Sequence, residues 1–158
     1  MRVLGIDPGI RTTGFGIIDS STNRFSLIAC GTIKPKVSDS LPLRLNHLFE
    51  EVEIIINKFS PEVFSIEDMF YSKNVKTAMI LGQARGAMII AAAQANINIF
   101  EYAPRKVKMS VCGSGGASKE QVQYMVMKIL NLKEIPGTMD VSDAIAVGIC
   151  CLNQARIK

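Results

Sequence analysis

The strongest constraint on the fold is a short apolar run that ends in acid, Arg2-Val3-Leu4-Gly5-Ile6-Asp7-Pro8-Gly9. Its aliphatic residues suit a strand. Pro8 has no N–H with which to extend a ladder and Gly9 tolerates positive φ, so the strand has to stop at Asp7. Side chains alternate across a sheet, which puts Leu4 and Ile6 on one face and Val3, Gly5 and Asp7 on the other. A charge beside an apolar strand is costly unless it is paired or binds a cation. On these residues alone Asp7 is either a cap for the Pro-Gly turn or a fixed ligand, and the rest of the chain has to decide.

After the turn, residues 14–19 and 24–33 read as two more strands, joined by the polar Ser20-Ser21-Thr22-Asn23. Three strands with short connections predict an antiparallel meander. The period then changes. Leu45, Leu48, Phe49, Val52, Ile55, Ile56 and Phe59 recur at helical spacing, so residues 41–59 form an amphipathic helix that Ser60-Pro61 ends. His47, the single histidine, falls between those apolar positions and reads as a surface residue. Val63-Phe64-Ser65-Ile66-Glu67-Asp68 is a second apolar run ending in acid. A strand after a crossover helix runs parallel to an earlier one. If that neighbour is the first strand, Asp7 and Glu67 leave the same end of the sheet, and alternation favours Glu67 over Asp68 as the partner of Asp7.

Residues 69–74 form a loop with two adjacent aromatics, Phe70 and Tyr71, which either fold into the core or stack on an exposed base. Residues 75–95 form a long helix that is apolar over a wide arc, and such a helix is expected to be buried on both sides. One side faces the sheet. A partner helix, admitted by Gly82 and Gly86, or a second helix of the same chain covers the other. Asn98-Ile99-Phe100-Glu101-Tyr102 is a fifth strand, and Pro104 suits the first turn of a helix. Ser118-Lys119-Glu120-Gln121 has the pattern of a capping box and opens another. The preceding Gly113-Ser114-Gly115-Gly116-Ala117 is a phosphate-contacting element or an ordinary connection, and lacks the spacing of a P-loop. The last helix runs over residues 140–153. Asp140 and Asp143 share a face in its first turn, where the helix dipole favours acids, but Asp143 also shares the packed face of Ala144, Val147, Cys150 and Cys151.

Composition narrows the class. At 158 residues, 48% hydrophobic and 20% charged, the chain reads as one globular domain over 1–158. No secretory signal is expected, because Asp7-Pro8-Gly9 interrupts the early apolar run. Cys30, Cys112, Cys150 and Cys151 lack zinc-site spacing and read as reduced thiols of a cytoplasmic protein. The total charge of +4 is unevenly spread. Between residues 69 and 119, Lys73, Lys76, Arg85, Arg105, Lys106, Lys108 and Lys119 face the single acid Glu101, a net of +6 that leaves −2 for the remainder. Such a zone is a solvated basic face or the seat of a polyanion such as nucleic acid.

Asp7, Glu67, Asp140 and Asp143 therefore stand at two strand ends and a helix start. Four converging carboxylates repel one another, and divalent cations remove that cost. Oxygen-only ligands favour Mg²⁺ or Mn²⁺ over Zn²⁺, and a pair of such ions is a known means of phosphodiester hydrolysis. At this point the chain resembles the RuvC family of Holliday junction resolvases, in the ribonuclease H-like nuclease superfamily. The resemblance rests on Gly5-Ile6-Asp7-Pro8-Gly9 with Gly14, Ile66-Glu67 with Phe70, and Leu81-Gly82-Gln83-Ala84-Arg85-Gly86. Tyr102-Ala103-Pro104-Arg105 with Val107-Lys108, and Asp140-Val141-Ser142-Asp143-Ala144, complete it.

The resemblance implies an α/β, ribonuclease H-like fold: a five-stranded mixed sheet, three strands antiparallel and two parallel, flanked by helices. It implies a homodimer that nicks opposed strands of a four-way DNA junction with Mg²⁺, for which Mn²⁺ substitutes, two ions to each site. Asp7, Glu67, Asp140 and Asp143 become the catalytic metal ligands. Lys108 and Lys119 match basic residues near the scissile phosphate, and Phe70 matches a wedge against junction bases. Together with Tyr71, Ser72, Lys73, Asn74, Arg85 and Arg105 these make up the expected DNA contacts. RuvA and RuvB are the implied partners. An actin-like phosphotransferase shares only the first motif and needs a second lobe. A pure junction-binding protein gains nothing from acids that repel phosphates.

Overall fold

The computed structural model describes every residue except Asn23, 69–73, 135–136 and 157–158, and the backbone alone of Arg156. The elements follow in the order β1 (Arg2–Asp7), β2 (Thr13–Ser20), β3 (Phe25–Ile33), α1 (Leu41–Phe59), β4 (Val63–Glu67), α2 (Val75–Gln94), β5 (Asn98–Tyr102), α3 (Pro104–Cys112), α4 (Lys119–Leu130) and α5 (Met139–Arg156). The sheet order is β3-β2-β1-β4-β5. The first three strands form an antiparallel meander, while β4 runs parallel to β1 and β5 parallel to β4. The mixed sheet expected from the sequence is thus present, with the first strand at its centre.

Local signals explain most boundaries. Pro42 opens α1, and Ser60, in the left-handed region at φ 47°, closes it ahead of Pro61. The capping box of α4 is formed in both directions. Ser118 Oγ accepts from the Gln121 N–H at 3.2 Å, and Gln121 Oε1 accepts from the Ser118 N–H at 2.7 Å. His47 lies partly exposed on α1.

Strand parity divides the core in two. Leu4, Ile6, Ile17, Phe64 and Ile66 pack under α1 and α2 with Leu48, Val52, Ala84 and Met88. Val3, Ile18 and Val63 face the opposite way, against α5, α3 and α4. Within one chain, the expectation of a helix buried on both sides is met by α5 and not by α2. Helix α5 is buried throughout Ala144 to Leu152. It lies between the sheet and the pair α3 and α4. In α2 only Ala84, Met88, Ala91 and Ala92 are buried, and Val75, Met79 and Ile90 are 71, 64 and 53% exposed. No second helix of the chain covers that side among the described residues. Nothing stands within 4 Å of the place a Cβ would take at Gly82 or Gly86.

Glycine allows α5 to sit so close. A Cβ on Gly5 would collide with the Ala144 carbonyl oxygen, and one on Gly14 with that of Asp140. Bare backbone on β1 and β2 therefore lets the start of α5 rest directly on the sheet, beside the end of β1.

Candidate active site

Parity and topology bring the acids together. Asp7 ends β1 and Glu67 ends β4, adjacent parallel strands in the register Ile6↔Ile66. Both side chains are odd-numbered on the α5 face. The close seat of α5 then brings Asp143 up to them. Asp7, Glu67 and Asp143 line one cleft of about 290 Å³ with Lys108 and Lys119, walled by Pro104, Val107, Val122 and Ala146.

The charges in this cleft are strongly coupled. Burial, followed by the charges of Glu67 and Asp143, pushes the Asp7 carboxyl up to about 8, and its hydrogen bond with Glu67 adds to the rise. Asp7 is then the protonated donor to Glu67 near neutrality. Glu67 is also raised, by burial first. The hydrogen bond from Asp7 opposes that rise, as do the positive charges of Lys119 and Lys108. Asp143 is served differently. Its Oδ2 accepts from Lys119 Nζ at 2.9 Å, and this bond holds the Lys119 ammonium above its ordinary value. The Asp143 side chain is 19% exposed and that of Lys119 61%, so the pair closes one wall of the cleft from its solvent side.

Asp140 occupies the flank. It contributes to the rise of Asp7, but its Oδ2 accepts from Thr138 Oγ1 at 3.3 Å and it lines a neighbouring hollow with Pro8, Gly9, Arg11, Arg44 and Thr77. Three of the four expected acids thus share the cleft and the fourth adjoins it. The donor set is all oxygen, which suits Mg²⁺ or Mn²⁺. Burial and mutual repulsion raise Asp7 and Glu67, and Lys119 supplies positive charge to Asp143, so by their chemistry these residues suit a divalent ion. Among the described residues, no three His, Cys, Asp or Glu side chains are grouped so that they could hold a metal ion together as they stand.

The expected DNA contacts separate. Lys108 and Lys119 line the cleft. Arg105 is exposed, with its stem against Gly115. Asn74 caps α2, its Oδ1 accepting from the Thr77 N–H at 3.1 Å. Phe70, Tyr71, Ser72 and Lys73 lie outside the described residues. Arg85 departs from expectation. Its side chain is 13% exposed and turned into the protein, where it meets Glu101, Asp68 and the Glu67 carbonyl. Carboxylates and a main-chain oxygen already engage it, which removes it from the set of open cations. Sequence reading missed both this cluster and the Lys119–Asp143 pair, which spans 24 residues and follows no periodicity. The capping box at Ser118 was the one available signal, since it fixes where Lys119 leaves its helix.

Comparison with known proteins agrees with this geometry. The family profile "Crossover junction endodeoxyribonuclease RuvC" matches residues 3–151. A Natranaerobius thermophilus protein of that description is 44% identical over 158 residues, covering 100% of this chain and 98% of its own. The Thermus thermophilus RuvC structure superposes with a TM-score of 0.90 at 31% identity, covering 99% of this chain and 96% of that one. A structure of the same T. thermophilus protein in complex with Holliday junction substrate gives 0.91 at 29% identity, with the same coverage. A cleft of strand-end acids, a facing helix-start acid and two lysines, on this sheet and with these relatives, leads to one conclusion: the chain belongs to the RuvC family of crossover junction endodeoxyribonucleases.

Proposed function

We propose that the chain, acting as one nuclease domain over 1–158, resolves four-way DNA junctions by divalent-metal-dependent hydrolysis of one phosphodiester on each of two opposed strands. The observation that carries the proposal is the single cleft in which Asp7, Glu67 and Asp143 face Lys108 and Lys119. Support comes from the T. thermophilus relative seen with Holliday junction substrate.

Asp7, Glu67 and Asp143, with Asp140 from the flank, would hold Mg²⁺ or Mn²⁺, two ions to a site. When bound, the ions supply activation of the attacking water and charge stabilisation for the leaving oxygen. The protein's own groups do the rest. On binding an ion, Asp7 would release to solvent the proton that its raised value lets it share with Glu67. Lys108 and Lys119 set positive charge against the phosphate and hold the strand without reading its sequence. Pro104, Val107, Val122 and Ala146 keep one side of the cleft dry, which strengthens those charges.

A junction with two-fold symmetry calls for two sites related by the same symmetry. We assign the open stripe of α2, Met79, Gly82, Gly86 and Ile90, to a second copy of the chain, making a homodimer. RuvA and RuvB, and a cytoplasmic setting, are part of the same reading. Among the described residues no helix is long and apolar enough to cross a membrane.

The test is a nicking assay on a synthetic four-way junction beside a linear duplex of the same arms, with and without Mg²⁺. Paired, metal-dependent cuts on the junction alone are expected. Tight junction binding without cuts in either Mg²⁺ or Mn²⁺ would instead leave a junction-binding protein.

A further inference from the structure

We propose that Arg85 is a positioning residue for the active site, clamping the peptide that follows Glu67 so that this carboxylate is aimed into the cleft. The inference deepens the nuclease reading and rests on it.

The need for a clamp follows from the end of the first strand. The β1–β4 register, Val3↔Val63 through Ile6↔Ile66, would carry on to set position 8 opposite Asp68. The Asp68 N–H donates to the Tyr102 oxygen at 2.8 Å, toward β5. The Glu67 carbonyl, on the other side of that peptide, therefore faces β1. In a parallel ladder its donor would be the N–H of residue 8. That residue is Pro8, which has none. The proline that fixes Asp7 at a strand end thus deprives Glu67 of a rung at the same place.

Arg85 supplies the missing donor. From the middle of α2 its Nε donates to the Glu67 carbonyl at 3.1 Å. The same guanidinium reaches the Glu101 carboxylate on β5 through Nη2 and lies 3.5 Å from Asp68 Oδ1. One rigid fork therefore ties the last residue of β4, the residue after it and the neighbouring strand to α2. The Glu67 side chain leaves on the opposite face, toward α5, so Arg85 acts on it only through the backbone. This also gives Asp68 a place: it is absent from the cleft lining and helps to hold the fork.

The guanidinium spans the two acceptors with separate, rigidly spaced nitrogens, Nε on the Glu67 carbonyl and Nη2 on Glu101, whereas the single compact ammonium of Lys keeps the charge but not that span, so Lys should lose the clamp. The experiment compares wild type, Arg85→Lys and Glu101→Gln, the second at a side chain 48% exposed and so tolerant of exchange. Four quantities are read: Mn²⁺ binding by calorimetry, kcat on a four-way junction, junction Kd in EDTA, and melting temperature. For Arg85→Lys the expected result is Mn²⁺ affinity and kcat down about 10–100-fold, as is typical when a group orienting a metal ligand is lost. Junction Kd should stay within about 2-fold, because the guanidinium is turned into the protein and engaged there by Glu101, Asp68 and the Glu67 carbonyl. Glu101→Gln should shift in the same direction by less.

Wild-type Mn²⁺ affinity and kcat in both variants would overturn the proposal. So would a junction Kd that weakens mainly at low salt, which would mark Arg85 as a phosphate contact. If Arg85→Lys does not fold, Glu101→Gln decides alone on the same readings. A wild-type protein that neither binds Mn²⁺ nor cuts the junction would sink the nuclease reading itself, a result separate from unaffected variants of an active enzyme.

Discussion

Asp7 pits folding against function at the scale of one carboxyl. Its folded value of about 8 stands well above an ordinary aspartate, so the metal-free fold binds a proton that the unfolded chain releases. Stability then falls as pH rises where the native state holds more protons, here between about pH 4 and 8, and the raised Glu67 adds in the same direction. Asp7→Asn keeps a donor for Glu67 and removes the charge. In EDTA at pH 8 it should stabilise the protein, by up to about 5 kcal/mol from linkage over the rise from about 4 to about 8, with little change at pH 4. Calorimetry at the two pH values checks this, and equal melting of variant and wild type at pH 8 would refute the shared proton. On the proposed function, the same variant should bind junctions and fail to cut them, since there Asp7 serves as a metal ligand and not as a DNA anchor. Lys119→Ala acts on the other charge pair. It should weaken junction binding more at low salt than at high salt, lowering the slope of log K against log salt by about 1. A defect independent of salt would point to misfolding.

Elements carry these residues to one place, and much of that was legible. The strand that stops at Asp7-Pro8, the crossover to β4 and the parity of Glu67 were enough to pair two acids from the sequence. Asp143 was legible as an acid on a packed face. What escaped was which helix is central. Both α2 and α5 are rich in small and apolar residues, and hydropathy alone does not say which one meets bare backbone. The deciding residues are Gly5 and Gly14, which read only as strand residues in sequence but prove to be the seat of α5. Gly5→Ala tests this at the scale of the packed pair. The added methyl meets the Ala144 carbonyl and the Gly148 nitrogen, both backbone and unable to rotate away. Urea unfolding should show a loss of about 1–3 kcal/mol. Cleavage should fall further than stability explains, because lifting α5 draws Asp143 away from Asp7. Wild-type cleavage at reduced stability would separate the packing from the site.

For the whole molecule, the proposed homodimer requires a surface on which a second copy can sit. The stripe Met79, Gly82, Gly86 and Ile90 falls on one side of α2, and apolar side chains there lie exposed around two glycines that permit close approach. The same helix carries Arg85 on its inner side, so a second copy seated on the stripe would press on the element that clamps Glu67. Dimerisation would thereby hold both sites in order as well as set their spacing. Ile90→Lys places a charge in the stripe, and two-fold symmetry brings a second charge against it. The variant should sediment as a monomer with an unchanged Tm, since Ile90 is 53% exposed within one chain. On a supercoiled plasmid with an extruded cruciform, paired cuts give linear product and single cuts give nicked circles. Wild type should yield mainly linear DNA, and Ile90→Lys nicked circles at a reduced rate. A variant that remains dimeric, or a monomer that still linearises the plasmid in one encounter, would remove α2 from the interface and leave the pairing of cuts to some other surface.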